Sequence, residues 1–327
     1  MNTSTLIRYW LGTGAAAMLA GCGGSRSPIG APGAMPQTSA IATRADRGTS
    51  WMRPGTSSGD LIYVAAAGES YALTYPQGKL VGTIDYGSAD ACSDSAGDVF
   101  LTVDQGVDEF SHGATTPSAT LSVPGTSWGC AVDALSGNLA VTFFGKSGDD
   151  VAVFADAQGQ PTLYDSGFGP WGESASYDDA GNLFVDGVSE SGIGLAELPQ
   201  GGGSFSSVSV SPPIATHVGR LQWDGTYLTL ESGVGLQRQP NLLTINRLSI
   251  SDSIATVVST TTFRNIRRDA LWSWIYDNAI IVPFGRESRN VGYWKYPDGG
   301  KPEKILKAPA GKTAIIEAVT ISVGSSR

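Results

Sequence analysis

The 327-residue sequence predicts an all-β fold, a six-bladed β-propeller closed by its own C-terminal strand and preceded by a signal peptide and a flexible tether. Three observations carry this: a turn motif that recurs along the chain, a composition suited to strands, and an unpaired strand at each end of the repeats. The 43 glycines and the 16% charged content fit short strands and tight turns. Helices would draw instead on Ala, Leu, Glu and Lys. All-β domains of this length occur as single units.

The motif Ser93-Asp94-Ser95-Ala96-Gly97-Asp98-Val99-Phe100-Leu101 recurs at residues 132–141 and 177–185. Trp223-Asp224-Gly225-Thr226-Tyr227-Leu228 is a fourth copy, and residues 276–281 form a weaker fifth. Gly97, Gly137, Gly181 and Gly225 are 40, 44 and 44 residues apart. That period matches four short strands per propeller blade. Within each copy, Asp and Gly supply a turn with a φ > 0 position, and an apolar strand leaves it. Two more strands follow in each unit: 107–110 and 119–123, then 151–154 and 161–164, then 194–198 and 205–210. The segment 291–297 is echoed at 71–78 by a Tyr-Pro turn, which places Asp60 to Ile84 as the first unit.

That first unit opens at Leu61-Ile62-Tyr63-Val64 as a second strand, so it lacks an innermost one. Residues 314–323 are a strand with no unit of their own. Pairing the two removes both exposed edges. Residues 58–323 then give about 44 residues to each of six blades, the stretch from 225 to 277 being the longest.

The N-terminus carries Arg8 and then an apolar run, 11–20, too short to span a bilayer and sized for a signal peptide. It ends in Leu19-Ala20-Gly21-Cys22, which resembles the bacterial lipobox. The resemblance implies removal of residues 1–21 and a diacylglycerol and acyl (palmitate) anchor on Cys22, the only cofactor-like group expected. A plain secretory signal or an uncleaved anchor is the alternative. Gly23, where Asp would signal inner-membrane retention, points to the outer membrane or cell surface, facing periplasm or exterior. Residues 22–57, rich in Gly, Ser and Pro, read as a tether, and 324–327 as a tail.

The repeat at residues 131–141 and 175–185 resembles NHL-repeat propellers, and the whole chain resembles uncharacterised bacterial lipoproteins that join a lipobox to such a propeller. The resemblance implies a fold and leaves activity open.

With Cys22 lipidated, Cys92 and Cys130 remain as a pair in an oxidising compartment. Cys92 lies two residues before Asp94 and Cys130 three before Asp133, so they point to opposite faces of consecutive blades, which can bring the two thiols towards each other. A disulfide is the expectation; two buried thiols are the alternative.

The net charge of −9 argues against nucleic acid. Arg264, Arg267 and Arg268 read as a solvated turn. Channel-mouth ligand candidates are Asp90, Trp128, Trp171, Glu173, His217, Arg220, Arg268, Trp272 and Glu317. Trp128-Gly129 and Trp171-Gly172 sit at nearly matching positions, suited to stacking on a sugar or aromatic ligand, or to inter-blade packing. His112, in a hairpin loop, reads as exposed, and two histidines are too few for an imidazole metal site or a Ser-His-Asp triad. Asp149-Asp150 and Asp178-Asp179 read as turn residues rather than a calcium site. The segment 168–173 faintly echoes the start of gluconolactonase-type propellers, but its acid, Glu173, follows the tryptophan. The reading is a membrane-anchored binding or scaffolding module for a small molecule, glycan or envelope protein. The alternative is a metal-dependent hydrolase or lyase using Asp90, Glu173 and Glu317.

Overall fold

The structure is a computed structural model that describes residues 50–56, 58–145, 148–169, 172–189, 192–214, 218–232, 241–266, 272–284, 289–308 and 315–324. The segment read as a signal peptide, Cys22 and most of the segment read as a tether lie outside the described residues, as do Trp171, His217, Arg267 and Arg268.

The strands come in groups of four. The first holds β1 (Trp51–Met52), β2 (Leu61–Ala66), β3 (Ser70–Thr74) and β4 (Leu80–Ile84). Next come β5 (Ala91–Ser93), β6 (Val99–Val103), β7 (Gly106–Phe110) and β8 (Ala119–Ser122). The third group is β9 (Thr126–Val132), β10 (Leu139–Phe144), β11 (Val151–Phe154) and β12 (Thr162–Tyr164). The fourth is β13 (Gly172–Tyr177), β14 (Leu183–Ser189), β15 (Gly192–Leu198) and β16 (Ser206–Ser211). Then follow β17 (Val218–Trp223), β18 (Leu228–Ser232), β19 (Asn241–Ser251) and β20 (Ile254–Ile266). The last group is β21 (Trp274–Tyr276), β22 (Ala279–Phe284), β23 (Asn290–Lys295) and β24 (Lys304–Lys307), and β25 (Ile316–Ser322) ends the chain.

Every group after the first is an antiparallel meander of four neighbouring strands. Parallel pairing of β16 with β20, Ser209 opposite Ile254, joins two meanders edge to edge. In the first sheet the order is β1-β4-β3-β2-β25, so the C-terminal strand takes the innermost place, with Leu61 opposite Ser322 and Val64 opposite Val319. The opposite edge carries β1, Trp51 facing Thr83. The sheet therefore begins inside the stretch read as tether. The long 225–277 interval is filled by the extended hairpin of β19 and β20, of 11 and 13 residues.

The repeated turn works as its chemistry dictates. Asp178 Oδ1 accepts the Ala180 and Asn182 N–H groups at 2.9 and 2.8 Å, and Gly181 takes φ +81°. Where glycine is missing, Asp277 and Asn278 occupy the left-handed region at φ 48° and 60°, conformations these short polar side chains tolerate.

The innermost strands follow one another in a ring: β25 neighbours β5, then β9, β13 and β17. The Gln222 amide links β17 to β21, donating to Ile275 O at 2.8 Å and accepting its N–H at 2.7 Å. Trp272, just before β21, bridges to Ala318 of β25 and closes the circle. The core lies between adjacent meanders. Ile62 and Val64 pack on Ile281 and Val291, and Phe100 and Val107 pack on Val141 and Phe143. Cys92 and Cys130 form a disulfide between β5 and β9, as their parity predicts. Closing a 38-residue separation stabilises the fold by about 3–4 kcal/mol in the chain-entropy picture.

Three expectations are corrected. His112 is half-buried, not exposed, with Nδ1 2.6 Å from Ser322 Oγ on the closing strand. Asp150 is buried and holds Ser166 through its N–H (2.7 Å) and its hydroxyl, so a neighbouring loop consumes its charge. Arg264 lies exposed in β20 rather than in a turn, because the hairpin continues past it.

Candidate functional site

The channel side of the ring is shaped by β-bulges, which re-aim side chains by inserting an extra residue. Trp128 and Gly129 stand opposite the single residue Thr142, and Glu173 and Ser174 opposite Asp186. Gly219 and Arg220 stand opposite Glu231, and Glu317 is the extra residue of β25. At the first three bulges a polar side chain on the second strand takes up a backbone N–H. Gly129 N–H donates to Thr142 Oγ1 at 2.8 Å, Ser174 N–H to Asp186 Oδ1 at 2.7 Å, and Arg220 N–H to the Glu231 carboxylate. Asp90 N–H, just before β5, does the same with Thr102 Oγ1 at 2.8 Å.

A second set of bonds stitches neighbouring meanders. Asp90 Oδ2 accepts Cys130 N–H at 2.9 Å, and Ser174 Oγ accepts Leu221 N–H at 3.0 Å. Arg220 has no acceptor to offer, and Glu231 replaces it, taking Ser273 N–H at 3.1 Å and its hydroxyl at 2.6 Å. Buried backbone donors need such partners, so much of the channel's polar lining serves the fold.

Two layers then cross the channel. The strands β5 and β17 lie opposite, two innermost strands separating them each way round the ring. From these two sides Arg220 reaches Asp90, Nη1 to Oδ1 at 2.7 Å and Nη2 to Oδ2 at 3.3 Å, and donates to Ala91 O at 2.9 Å. Both are almost fully buried, 3% and 1% exposed. The guanidinium carbon sits 4.7 Å from the Trp274 ring centroid, a cation–π contact that caps the remaining face. Asp90 and Arg220 are thus no free mouth ligands, contrary to expectation: two buried opposite charges meet across the ring, neutralise each other and form the floor of the site.

Above that floor Trp128, from β9, meets Trp272 edge-on with centroids 5.8 Å apart. The strands β9 and β21 are likewise opposite. Trp128 also packs on Phe144 at 5.3 Å yet stays 36% exposed, so its outer face is open to a ligand. Glu173 and Glu317, from the opposed strands β13 and β25, hold the equivalent bulge positions and are half-buried. Trp128 and Glu173 therefore hold the same position in the ring, each first in its bulge and five residues before its turn aspartate (Asp133 and Asp178), so the Trp128-Gly129 and Trp171-Gly172 pairs are two residues out of step.

Burial pushes the Glu317 carboxyl up to about 7. Burial first, then the Glu173 charge, pushes Asp186 well up, and its Oδ2 has no hydrogen-bond partner among the described residues. Burial also raises Glu231. Because the folded state holds the Glu317 proton above its ordinary value of 4.5, that contribution is complete below about pH 4.5 and is lost as pH rises through about 7. Glu317→Gln is expected to stabilise the protein by about 2 kcal/mol at about pH 8, the residual solvation of the carboxyl trimming the full effect, and to change little at about pH 4. Urea unfolding of both proteins across that range checks this.

Sequence reasoning found Trp128, Trp272, Glu173 and Glu317 but missed Trp274, Asp186 and Glu231. Trp274 follows Trp272 by two residues, the strand period for one face. Aligning the fourth residue of each second strand (Thr102, Thr142, Asp186, Glu231) would have exposed the bulge acceptors. Asp90, Glu173 and Glu317 are not gathered: among the described residues no three His, Cys, Asp or Glu side chains could hold a metal ion.

Meanders in a ring around such a channel define the protein as a β-propeller. No family model matches the chain, and no curated protein matches it. A chain of a nidogen/laminin complex shares 13% identity with it at a TM-score of 0.61, over 81% of this chain and 99% of that one. AztD from Citrobacter koseri matches at 8% identity and a TM-score of 0.51, over 83% of this chain and 99% of AztD. At these identities the likeness is one of fold.

Proposed function

We propose that this protein is an exported, six-bladed propeller, lipidated at Cys22, that binds a ligand at the channel mouth and performs no reaction on it. The carrying observation is the Trp128–Trp272 contact, which presents an open aromatic face next to the buried Asp90–Arg220 pair, Trp272 lying 6.0 Å from the guanidinium. Aromatic faces with a few flanking polar groups suit a small molecule, a glycan or an exposed loop of an envelope protein. The Asp90–Arg220 pair supports binding over catalysis, because it spends the strongest charges of the channel on each other. The lipobox at Leu19-Ala20-Gly21-Cys22 and the tether support presentation from an envelope membrane.

The test is screening of the mature protein against glycan and peptide arrays, followed by tryptophan-fluorescence titration of the hits. Trp128→Ala is expected to weaken the ligand at least tenfold, roughly the worth of one stacked ring. Equal binding by Trp128→Ala, or steady turnover of a hit, would count against the proposal.

A further inference from the structure

We propose that the ligand of the channel mouth is a small organic cation, an alkylated ammonium ion seated on the open face of Trp128 and neutralised by Glu317. This rests on the reading that the mouth binds a ligand, and it adds the chemical class.

Ring order brings the groups together. Trp128 stands on β9 and Glu173 on the next innermost strand, β13; Trp272 stands just before β21 and Glu317 on the next, β25. Both neighbours are close. Thr142 Oγ1, which takes up Gly129 N–H, donates to Glu173 O at 2.9 Å, and Trp272 bridges to Ala318, next in the chain to Glu317. The two rings meet at 5.8 Å from opposite sides of the channel, so a carboxylate-bearing strand follows each of them around the ring.

The charges at this level favour a cation. Trp128, 36% exposed, offers a ring face, the negative side of the aromatic quadrupole. Glu317 is half-buried, and among the described residues its carboxylate has no hydrogen-bond or ion-pair partner; burial alone raises it to about 7. The charge of Glu173 adds to the negative field and is felt at Asp186. Arg220, the positive charge built into the channel, is 3% exposed and already neutralised by Asp90. The bulge N–H groups that a carboxylate ligand would seek are taken by Thr142, Asp186 and Glu231. An anion is therefore repelled, whereas a cation gains from the ring and from the carboxylate together.

The cation is organic rather than metallic. A metal ion takes several converging oxygens, and among the described residues no three His, Cys, Asp or Glu side chains could hold one. An alkylated ammonium ion is weakly hydrated and needs no such shell; a ring face and one carboxylate suffice. The channel already uses this chemistry internally, with the Arg220 guanidinium 4.7 Å from the Trp274 centroid and 6.0 Å from that of Trp272.

The experiment titrates the mature protein at about pH 8, where Glu317 is ionised, with choline, tetramethylammonium and dimethylbutanol, the neutral carbon isostere of choline. Tryptophan fluorescence and calorimetry follow the binding. At least one of the two cations is expected to bind, and dimethylbutanol about tenfold more weakly or not at all. Trp128→Ala and Glu317→Gln should each weaken the cation by about fivefold or more. Glu317→Gln is the more stable protein at this pH, so its loss of binding reports the missing charge rather than unfolding. The inference is overturned if neither cation binds, if dimethylbutanol binds as tightly as choline, or if either variant binds the cation as tightly as the parent. In those cases the mouth is still a binding site if a ligand from the glycan or peptide arrays needs Trp128; if none does, the binding role of the mouth falls as well.

Discussion

Replacing Arg220 with methionine is expected to cost about 3–5 kcal/mol, because it strands the buried Asp90 carboxylate without its counter-charge. Methionine keeps most of the side-chain volume, so the loss reports charge rather than a cavity. Asp90 loses the bidentate guanidinium and keeps only the backbone N–H groups of Cys130 and Ala91. The burial that already raises the Asp90 carboxyl would then act with Arg220's opposing charge removed. Neutralising both sides separates the pair from the rest. In Asp90→Asn/Arg220→Met the amide oxygen still accepts Cys130 N–H and no charge is buried. The double variant should therefore recover at least half of the single-variant loss, since buried ion pairs are worth little net against neutral replacements. Urea midpoints with unchanged slopes measure this. A single-variant loss below about 1 kcal/mol would mean that water reaches the pair.

The parts of the fold that were legible in the sequence are the local ones. Asp-x-x-Gly turns report themselves, because only certain residues accept the left-handed backbone that Gly97, Gly137 and Gly181 adopt. The closing strand was legible by elimination: β2 had no inner neighbour and residues 314–323 had no unit. The disulfide followed from counting parity back from Asp94 and Asp133. The site was less legible because it is built across the ring. Asp90 and Arg220 are 130 residues apart, and only ring order and channel width bring them together. Trp128 aligns with Glu173 because each lies five residues before its turn aspartate, a spacing that matching the two Trp-Gly pairs to each other obscured.

Closure is also the claim on which the channel and the Asp90–Arg220 pair both rest. The strand β25 is innermost in its sheet, with Ile316, Ala318, Val319 and Thr320 fully buried. It pairs with β2 and touches the second meander, where Ser93 Oγ lies 2.9 Å from Thr320 Oγ1 and donates to Ile321 O at 2.6 Å. Beyond it Gly324 N–H reaches Asp60 Oδ1 at 3.0 Å. Burying Ile316, Val319 and Ile321 is worth about 1.5–3 kcal/mol each, a sum comparable to the whole stability of a typical domain. Without them β2, whose Leu61–Ala66 sequence is entirely buried, becomes a bare apolar edge. The decisive measurement is thermal unfolding of a chain ending at residue 314, alone and with a synthetic peptide of residues 315–324. Loss of the cooperative transition, restored at least in part by the peptide, is what ring closure predicts; a truncated chain that melts cooperatively at the Tm of the intact protein would contradict it.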